Sequence, residues 1–207
     1  NYSGTCILTS VSYGNSQFAA VGGCGAIWTG TDGINWTSRF SGTSPFCTLY
    51  GIAYGDNKFV VVGSDGTVLT SPDGVTWTAR SSGTTTQLND VTYDSGKFVA
   101  VCDNGIILTS PDGVTWTTRS SGTSAGLNRV TFGSDKFVAV GMGGIILTSP
   151  DGIVWTPRSS GTENNLFGIA YGNSQFVAVG SGGVILTGPD GINWNSRNSI
   201  VTTDLVN

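Results

Sequence analysis

Acid–base, electrostatic or metal chemistry would have to begin at ionisable side chains, and this chain has few. Thirteen Asp and Glu and nine Lys and Arg stand among 207 residues, with no histidine and a formal net charge of −4. Without imidazole there is no Ser–His–Asp or Cys–His relay and no imidazole metal site. Most of the charges recur. Arg39, Arg80, Arg119, Arg158 and Arg197 each follow a tryptophan by three residues, and Lys58, Lys97 and Lys136 share a second fixed place. Asp32, Asp73, Asp112, Asp151 and Asp190 occupy a repeated D-G-x-x-W string, and Asp56, Asp94 and Asp135 occupy another repeated turn. The charges off this pattern are Arg129, Asp65, Asp90, Asp103, Glu163 and Asp204. Glycoside hydrolysis with two carboxylates needs an opposed pair, and no spacing opposes Asp90 to Asp103. Asp65 in SDGT and Asp103 in DNGI could offer oxygens to Ca²⁺, but such Asp-Gly and Asn-Gly pairs are hairpin-turn residues. No twelve-residue calcium loop is present. We therefore expect no catalysis, no metal and no cofactor.

The elements that position these residues are repeats. Trp36, Trp77, Trp116, Trp155 and Trp194 recur about every forty residues. SPDGVTWTAR, SPDGVTWTTR, SPDGIVWTPR and GPDGINWNSR share one frame, with GTDGINWTSR as a divergent first copy. Upstream, YGNSQFAAVG, YGDNKFVVVG, YDSGKFVAVC, FGSDKFVAVG and YGNSQFVAVG form a second column. Each unit reads as four short strands rich in β-branched and aromatic residues and separated by turn residues. In the second unit these are LYGIAYG from Leu49, KFVVVG from Lys58, TVLTS from Thr67 and VTWTARS from Val75. In Ser71-Pro72-Asp73-Gly74, Pro and Asp suit the centre of a type I turn and Gly the left-handed position after it. The tryptophan then opens the outer strand and can pack on the neighbouring unit.

Four-stranded antiparallel units at this period predict an all-β, five-bladed β-propeller, with an open β-solenoid as the alternative. The blades fall at about 3–42, 43–83, 84–122, 123–161 and 162–198, in one domain over 1–207. Ser12, Ala53, Thr92, Thr131 and Ala170 form a column of small residues suited to a narrow axis. The tail 199–207 either adds a strand near the first blade or is a linker.

The S-P-D-G-x-x-W turn resembles the Asp-box, or bacterial neuraminidase repeat, of sialidase-like propellers, with one residue fewer between Asp and Trp. The whole unit is similar to repeats of secreted bacterial propellers related to photosystem II assembly factors. The resemblance implies that Asp32, Asp73, Asp112, Asp151 and Asp190 fold the hairpin turn by accepting backbone N–H bonds. It also raises sialidase activity as a remote alternative. That chemistry needs three clustered arginines, a Tyr–Glu pair and an Asp acid, whereas only Arg129 and Glu163 represent their types off the repeat. Glycosidases, assembly factors, receptors and lectins share such repeats, so resemblance alone leaves function open.

Recurring residues should be architectural, and the arginines are expected to lie over Trp or an adjacent blade as a cation–π contact. Asp90 and Arg129 share a column in consecutive units and are expected to form an inter-blade ion pair. Cys6, Cys24 and Cys47 fall at one end of the strands, so Cys24 could bridge to Cys6 or Cys47, with Cys24–Cys47 favoured. Cys102 fills a core position, and free thiols throughout are the alternative. A disulfide would fit an oxidising compartment. The same end carries the variable segments SGTSPFCTLYG, SGTTTQLND, SGTSAGLNR and SGTENNLFG. Loops held by a rigid scaffold tend to bind ligands. The candidates are Phe46, Tyr50, Gln87, Asn89, Asn128, Asn164, Asn165 and Phe167, whose aromatics and amides suit a sugar or a protein surface.

The expected function is thus a non-catalytic extracellular or cell-surface binding module for a protein, with carbohydrate binding as the alternative. Partners would be a protein or glycan on a cell surface or in the extracellular matrix. Nine scattered cations make no phosphate-binding stripe, which argues against nucleic acid, and no apolar run approaches the ~20 residues that cross a bilayer. The chain opens at Asn1 with no signal-peptide pattern, so we expect a removed leader or a part of a longer protein.

Overall fold

The structure, a computed structural model, describes residues 6–205. Twenty strands form five four-stranded sheets. The first sheet holds β1 (Leu8–Gly14), β2 (Gln17–Gly22), β3 (Ile27–Gly30) and β4 (Thr37–Arg39). The second holds β5 (Leu49–Gly55), β6 (Lys58–Gly63), β7 (Thr67–Ser71) and β8 (Thr78–Ser81). The third holds β9 (Leu88–Asp94), β10 (Lys97–Cys102), β11 (Ile107–Ser110) and β12 (Thr117–Arg119). The fourth holds β13 (Leu127–Gly133), β14 (Lys136–Gly141), β15 (Ile146–Ser149) and β16 (Thr156–Arg158), and the fifth β17 (Leu166–Gly172), β18 (Gln175–Gly180), β19 (Ile185–Gly188) and β20 (Asn195–Arg197). Strands neighbour one another in chain order within every sheet. Each sheet is a propeller blade.

Local chemistry sets each blade. The first hairpin turns on two residues with positive φ, such as Asp56 (46°) and Asn57 (56°), or Asn173 (49°) and Ser174 (57°). That is the type I′ geometry whose twist matches paired strands, and Asn and Asp tolerate it best. Between the second and third strands lies a one-turn 3-10 element, as at Ser64–Gly66, with Asp65 left-handed at φ 55°.

The third connection departs from expectation. The outer strand begins at Thr78, not Val75, so Trp77 ends the loop instead of entering the sheet. Asp73 Oδ1 accepts the backbone N–H groups of Val75 and Thr76, both at 2.9 Å, and the Ser71 hydroxyl at 3.0 Å. Trp77 Nε1 donates to the Gly74 carbonyl at 3.2 Å. Bound to their own loop, Val75 and Thr76 have no N–H left for the ladder, and pairing starts later. Asp32, Asp112, Asp151 and Asp190 accept the equivalent N–H groups.

Two compact units divide the chain, one holding residues up to Phe98 with Ser110–Thr117, the other Val99–Thr109 with residues from Thr118. In the first, Ala19, Val21 and Ile27 of one blade pack against Leu49, Ile52, Phe59, Val61 and Leu69 of the next, with Trp77 against the same cluster. In the second, the fourth blade turns Phe137, Ala139 and Leu147 toward Val99, Val101 and Ile107. Its alternate residues Val138, Val140 and Ile146 face Leu166, Ile169, Phe176 and Leu186 of the fifth. A period of two therefore gives each blade two apolar faces. Each wholly buried Val, Leu or Phe contributes roughly 1.5–3 kcal/mol.

The cysteine expectation needs correction. Cys24 is bonded to Cys6, with 5.8 Å between their Cα atoms, not to Cys47. Leu8 pairs with Gly22 across β1 and β2, and Gly23 N–H donates to the Ile7 carbonyl, so both cysteines flank one cross-strand pair. Cys47 is buried, its Sγ 3.6 Å from the hydroxyls of Thr67 and Ser64 in its own blade. Cys102 is buried as expected. Burial, reinforced by the Asp103 charge, pushes its thiol up to about 12.

The tail neither adds a strand nor runs free up to Leu205. Gly182 N–H donates to Asp204 Oδ1 at 3.1 Å, and Leu205 N–H to the Gly180 carbonyl at 3.0 Å. Residues 206 and 207 of the expected tail, and 3–5 of the expected first blade, lie outside the described residues. Ser12, Ala53, Thr92, Thr131 and Ala170 lie on the first strands of their blades.

Candidate functional site

The inter-blade loops begin where each outer strand ends. After Arg80 the chain runs Ser-Ser-Gly-Thr, and Gly83 takes φ 78°, a conformation open to glycine at little cost. Ser82 Oγ donates to the Thr84 carbonyl at 3.0 Å and accepts from Thr84 N–H at 3.3 Å. Thr86 N–H donates to Thr84 Oγ1 at 3.0 Å. Side chains thus satisfy backbone groups that no ladder reaches, which holds the loop in one shape. Ser160, Thr162 and Asn164 repeat these bonds in the second unit.

Beneath each loop lies an arginine. Arg80 Nε donates to Thr70 Oγ1 on the adjacent strand at 3.0 Å, and Arg158 Nε to Thr148 Oγ1 at 2.9 Å. Arg39, Arg119 and Arg197 make the same bond. Strand pairing sets this threonine within reach of the guanidinium. The Nε bond fixes one donor of a planar fork whose geometry suits carboxylates and carbonyls.

Three open clefts follow. One of about 550 Å³ is lined by Gly66, Arg80 and the loop Ser81–Thr85. Its counterpart, about 510 Å³, is lined by Gly143, Gly144, Arg158 and the loop from Ser159 to Glu163. A third, about 380 Å³, lies on the other side of Arg80, between Thr43, Phe46, Asp65 and Ala79. Phe46, 78% exposed, is one of its walls.

The other candidates sit as follows. Gln87 Nε2 donates to Asn89 Oδ1 at 2.7 Å, and Asn89 is buried. Asn128 Nδ2 donates to the Leu166 carbonyl at 2.7 Å, spanning two blades. Asn164 Nδ2 reaches the Ser181 carbonyl at 3.3 Å, and Asn165 Oδ1 accepts from Gly143 N–H at 2.9 Å. Tyr50 and Phe167 are half-buried on β5 and β17. The amides of Asn128, Asn164 and Asn165 therefore hold neighbouring backbone and Gln87 holds the Asn89 side chain, and of the eight candidates Phe46 alone lines one of the three clefts. Arg80, Arg158 and Glu163 line clefts without having been singled out as binding residues. Recurrence had marked the arginines as scaffold, and they do brace the sheet, but Arg80 and Arg158 also line the clefts.

Asp90 lies on β9 against Gly51 of β5, and Arg129 Nη1 donates to the Asn128 carbonyl at 3.0 Å. They belong to different compact units. Among the carboxylates, Asp32 stands out. Backbone and side-chain hydrogen bonds from Asn35, then the Ile34 N–H, hold it down to about 2. Backbone N–H groups likewise lower Asp73, Asp112 and Asp190, led by Thr76, Thr115 and Asn193. Among the described residues no three metal-binding side chains cluster, and no helix is long and apolar enough to cross a membrane.

Neither a protein-family model nor a curated protein matches the sequence. Solved structures do. YCF48 bound to a D1 peptide is similar over 92% of this chain and 66% of its own, at 18% identity and a TM-score of 0.73. YCF48 from Cyanidioschyzon merolae is similar over 99% and 73%, at 18% identity and a TM-score of 0.71. The WD40 propeller domain of Doa1 is similar over 88% and 65%, at 13% identity and a TM-score of 0.64. The chain thus spans about two thirds of the length of these chains. At such identities the likeness speaks of architecture, and with its five four-stranded antiparallel sheets the chain is a five-bladed β-propeller.

Proposed function

We propose that this chain is a non-catalytic, extracellular binding module that seats a segment of a protein partner in the cleft beside Phe46. The observation that carries this is the juxtaposition of a 78% exposed phenylalanine with a braced arginine around a 380 Å³ cleft. Exposed aromatics and oriented arginines are the residue types that dominate protein-binding hot spots. The fold is also that of YCF48, which has been captured with a D1 peptide. The non-catalytic reading is supported by the fate of the recurring carboxylates. A general acid or base works best with a pKa near the operating pH, and backbone N–H groups hold Asp32, Asp73, Asp112 and Asp190 below even the usual carboxylate range. The extracellular reading is supported by the Cys6–Cys24 bond, which persists in oxidising surroundings.

A second reading, a neutral glycan ligand, is favoured by the similarity of the clefts at Arg80 and Arg158. Repeated equivalent sites suit repeated sugars. One experiment separates the two. The protein is screened against a displayed random-peptide library and a glycan array, alongside Phe46→Ala, Arg80→Ala and Arg158→Ala. Peptide docking predicts that Phe46→Ala and Arg80→Ala each weaken the selected peptides by roughly tenfold or more, with Arg158→Ala unchanged. Glycan binding predicts losses from Arg80→Ala and Arg158→Ala alike and none from Phe46→Ala. Peptide binding indifferent to Phe46 would remove the first reading.

A further inference from the structure

The fourth strand of each blade is an edge of its sheet. The edges β4, β12, β16 and β20 are three residues long, whereas β8 has four, Thr78-Ala79-Arg80-Ser81. The extra residue matters because an antiparallel strand turns its backbone N–H and C=O to one side and then the other, residue by residue.

The fourth blade fixes the direction. Gly141 N–H donates to the Ile145 carbonyl at 3.1 Å. Counting along the ladder from that bond, Leu147 turns its backbone groups to Ala139 of β14. Ile146 and Thr148 turn theirs to Arg158 and Thr156 of β16. Pro157, opposite Leu147, therefore points its nitrogen out of the sheet, where proline forfeits no ladder bond. The second blade keeps this register, with Val68 opposite Arg80 and Leu69 opposite Ala79. Ala79 thus holds the place of Pro157, and its N–H and C=O face outward. So do those of Ser81, two residues on. A three-residue edge offers one outward residue at its centre, and β8 offers two.

Natural edges are blunted by shortness, proline or charge. β8 has neither the shortness of the other four nor the proline of β16, and all four of its residues are exposed. Two clefts follow it. Ala79 and Arg80 line the one beside Phe46, and Arg80 and Ser81 line the one at the loop Ser82–Thr85. Arg80 is the charged residue lining the second cleft, so an acidic group complements it. All of these residues of the second blade and of the Phe46 loop lie in one compact unit.

We infer, resting on peptide docking beside Phe46, that the partner segment adds to β8 as an extended fifth strand, with an acidic side chain against Arg80. Ladder bonds to Ala79 and Ser81 supply affinity, and alternate side chains of the added strand enter the clefts and supply selectivity.

The probe is the tightest peptide selected on the wild type from the displayed library, with affinity read by calorimetry. Ala79→Pro removes the outward N–H at a place where Pro157 shows that the fold accepts proline. It should weaken the peptide roughly fivefold or more. Ala79→Ser, the residue at this place in β4 and β20, should leave affinity unchanged. Single amide-to-ester replacements in the peptide keep its side chains and remove one N–H each. Two replacements two residues apart should each weaken binding roughly two- to tenfold, and the one between them should not. An ester scan without this alternation would overturn the inference, whether or not Ala79→Pro folds, and so would a folded Ala79→Pro of unchanged affinity. In either case a loss from Phe46→Ala would still uphold peptide docking itself. Peptides indifferent to Phe46, or none selected, would remove both. Selected peptides without Asp or Glu would refute the placement against Arg80. A wild type that dimerises without peptide and dissociates on Ala79→Pro would assign the edge to a second copy and overturn the partner strand.

Discussion

At the scale of single residues, the turn aspartates govern the chemistry. Asp112 Oδ1 accepts the N–H groups of Val114 and Thr115 at 2.9 and 2.8 Å and the Ser110 hydroxyl at 3.0 Å. Asp112→Ala leaves these groups to solvent and is expected to cost roughly 1 kcal/mol, read as a shift in the urea midpoint. The role was legible from S-P-D-G because an Asx turn needs only neighbours in sequence. The acid titration follows from the same bonds. Asp32, at about 2 when folded against an ordinary value of 3.8, binds its proton more tightly in the unfolded chain. Its contribution is complete above about pH 4 and is lost as pH falls through about 2. Carboxyl chemical shifts should place its midpoint near 2, and a midpoint near 3.8 would contradict the bonding described. Cys102, with its thiol pushed up to about 12 by burial, should resist iodoacetamide at pH 8 until the chain is unfolded.

At the scale of elements, the blade is a local object and its seams are not. Strand composition and two-residue turns mark β1 to β20 in the sequence, and only the outer strands start later than expected, where the Asp loop takes N–H groups from the ladder. The packing of one blade on another is set by glycines whose role sequence does not reveal. Gly113, at φ 72° and with Val60 at 2.7 Å from an added Cβ, combines a left-handed backbone with a closed space. Gly113→Val should cost roughly 2–4 kcal/mol by chemical denaturation, well above Gly122→Ala, where an added Cβ meets nothing within 4 Å. The Cys6–Cys24 bond ties the segment before β1 to the turn after β2. Closing a loop of 18 residues is worth about 3 kcal/mol by loop entropy, so Cys6→Ser with Cys24→Ser should lower stability by up to that amount. Cys47→Ser should leave the disulfide mass signature intact.

At the scale of the molecule, the clefts decide where a ligand could be held. The clefts at Arg80 and Arg158 recur because their parts recur, whereas Phe46 is set in a loop unlike its counterparts. A binding site confined to one blade is therefore built on a scaffold that is otherwise uniform.

Repeat period, strand number, turn chemistry and the absence of histidine relays were determined by the sequence alone, since each depends on residues a few places apart. Tertiary structure alone decided that Cys24 meets Cys6, that the arginines brace threonines ten residues upstream, and that Asn89 and Asn128 serve the scaffold. It alone showed that Gly14, Gly55 and Gly133 lie under Tyr54, Tyr93 and Tyr171 of the next blade. The reason is that identical sequence signals acquire different environments according to what packs on them.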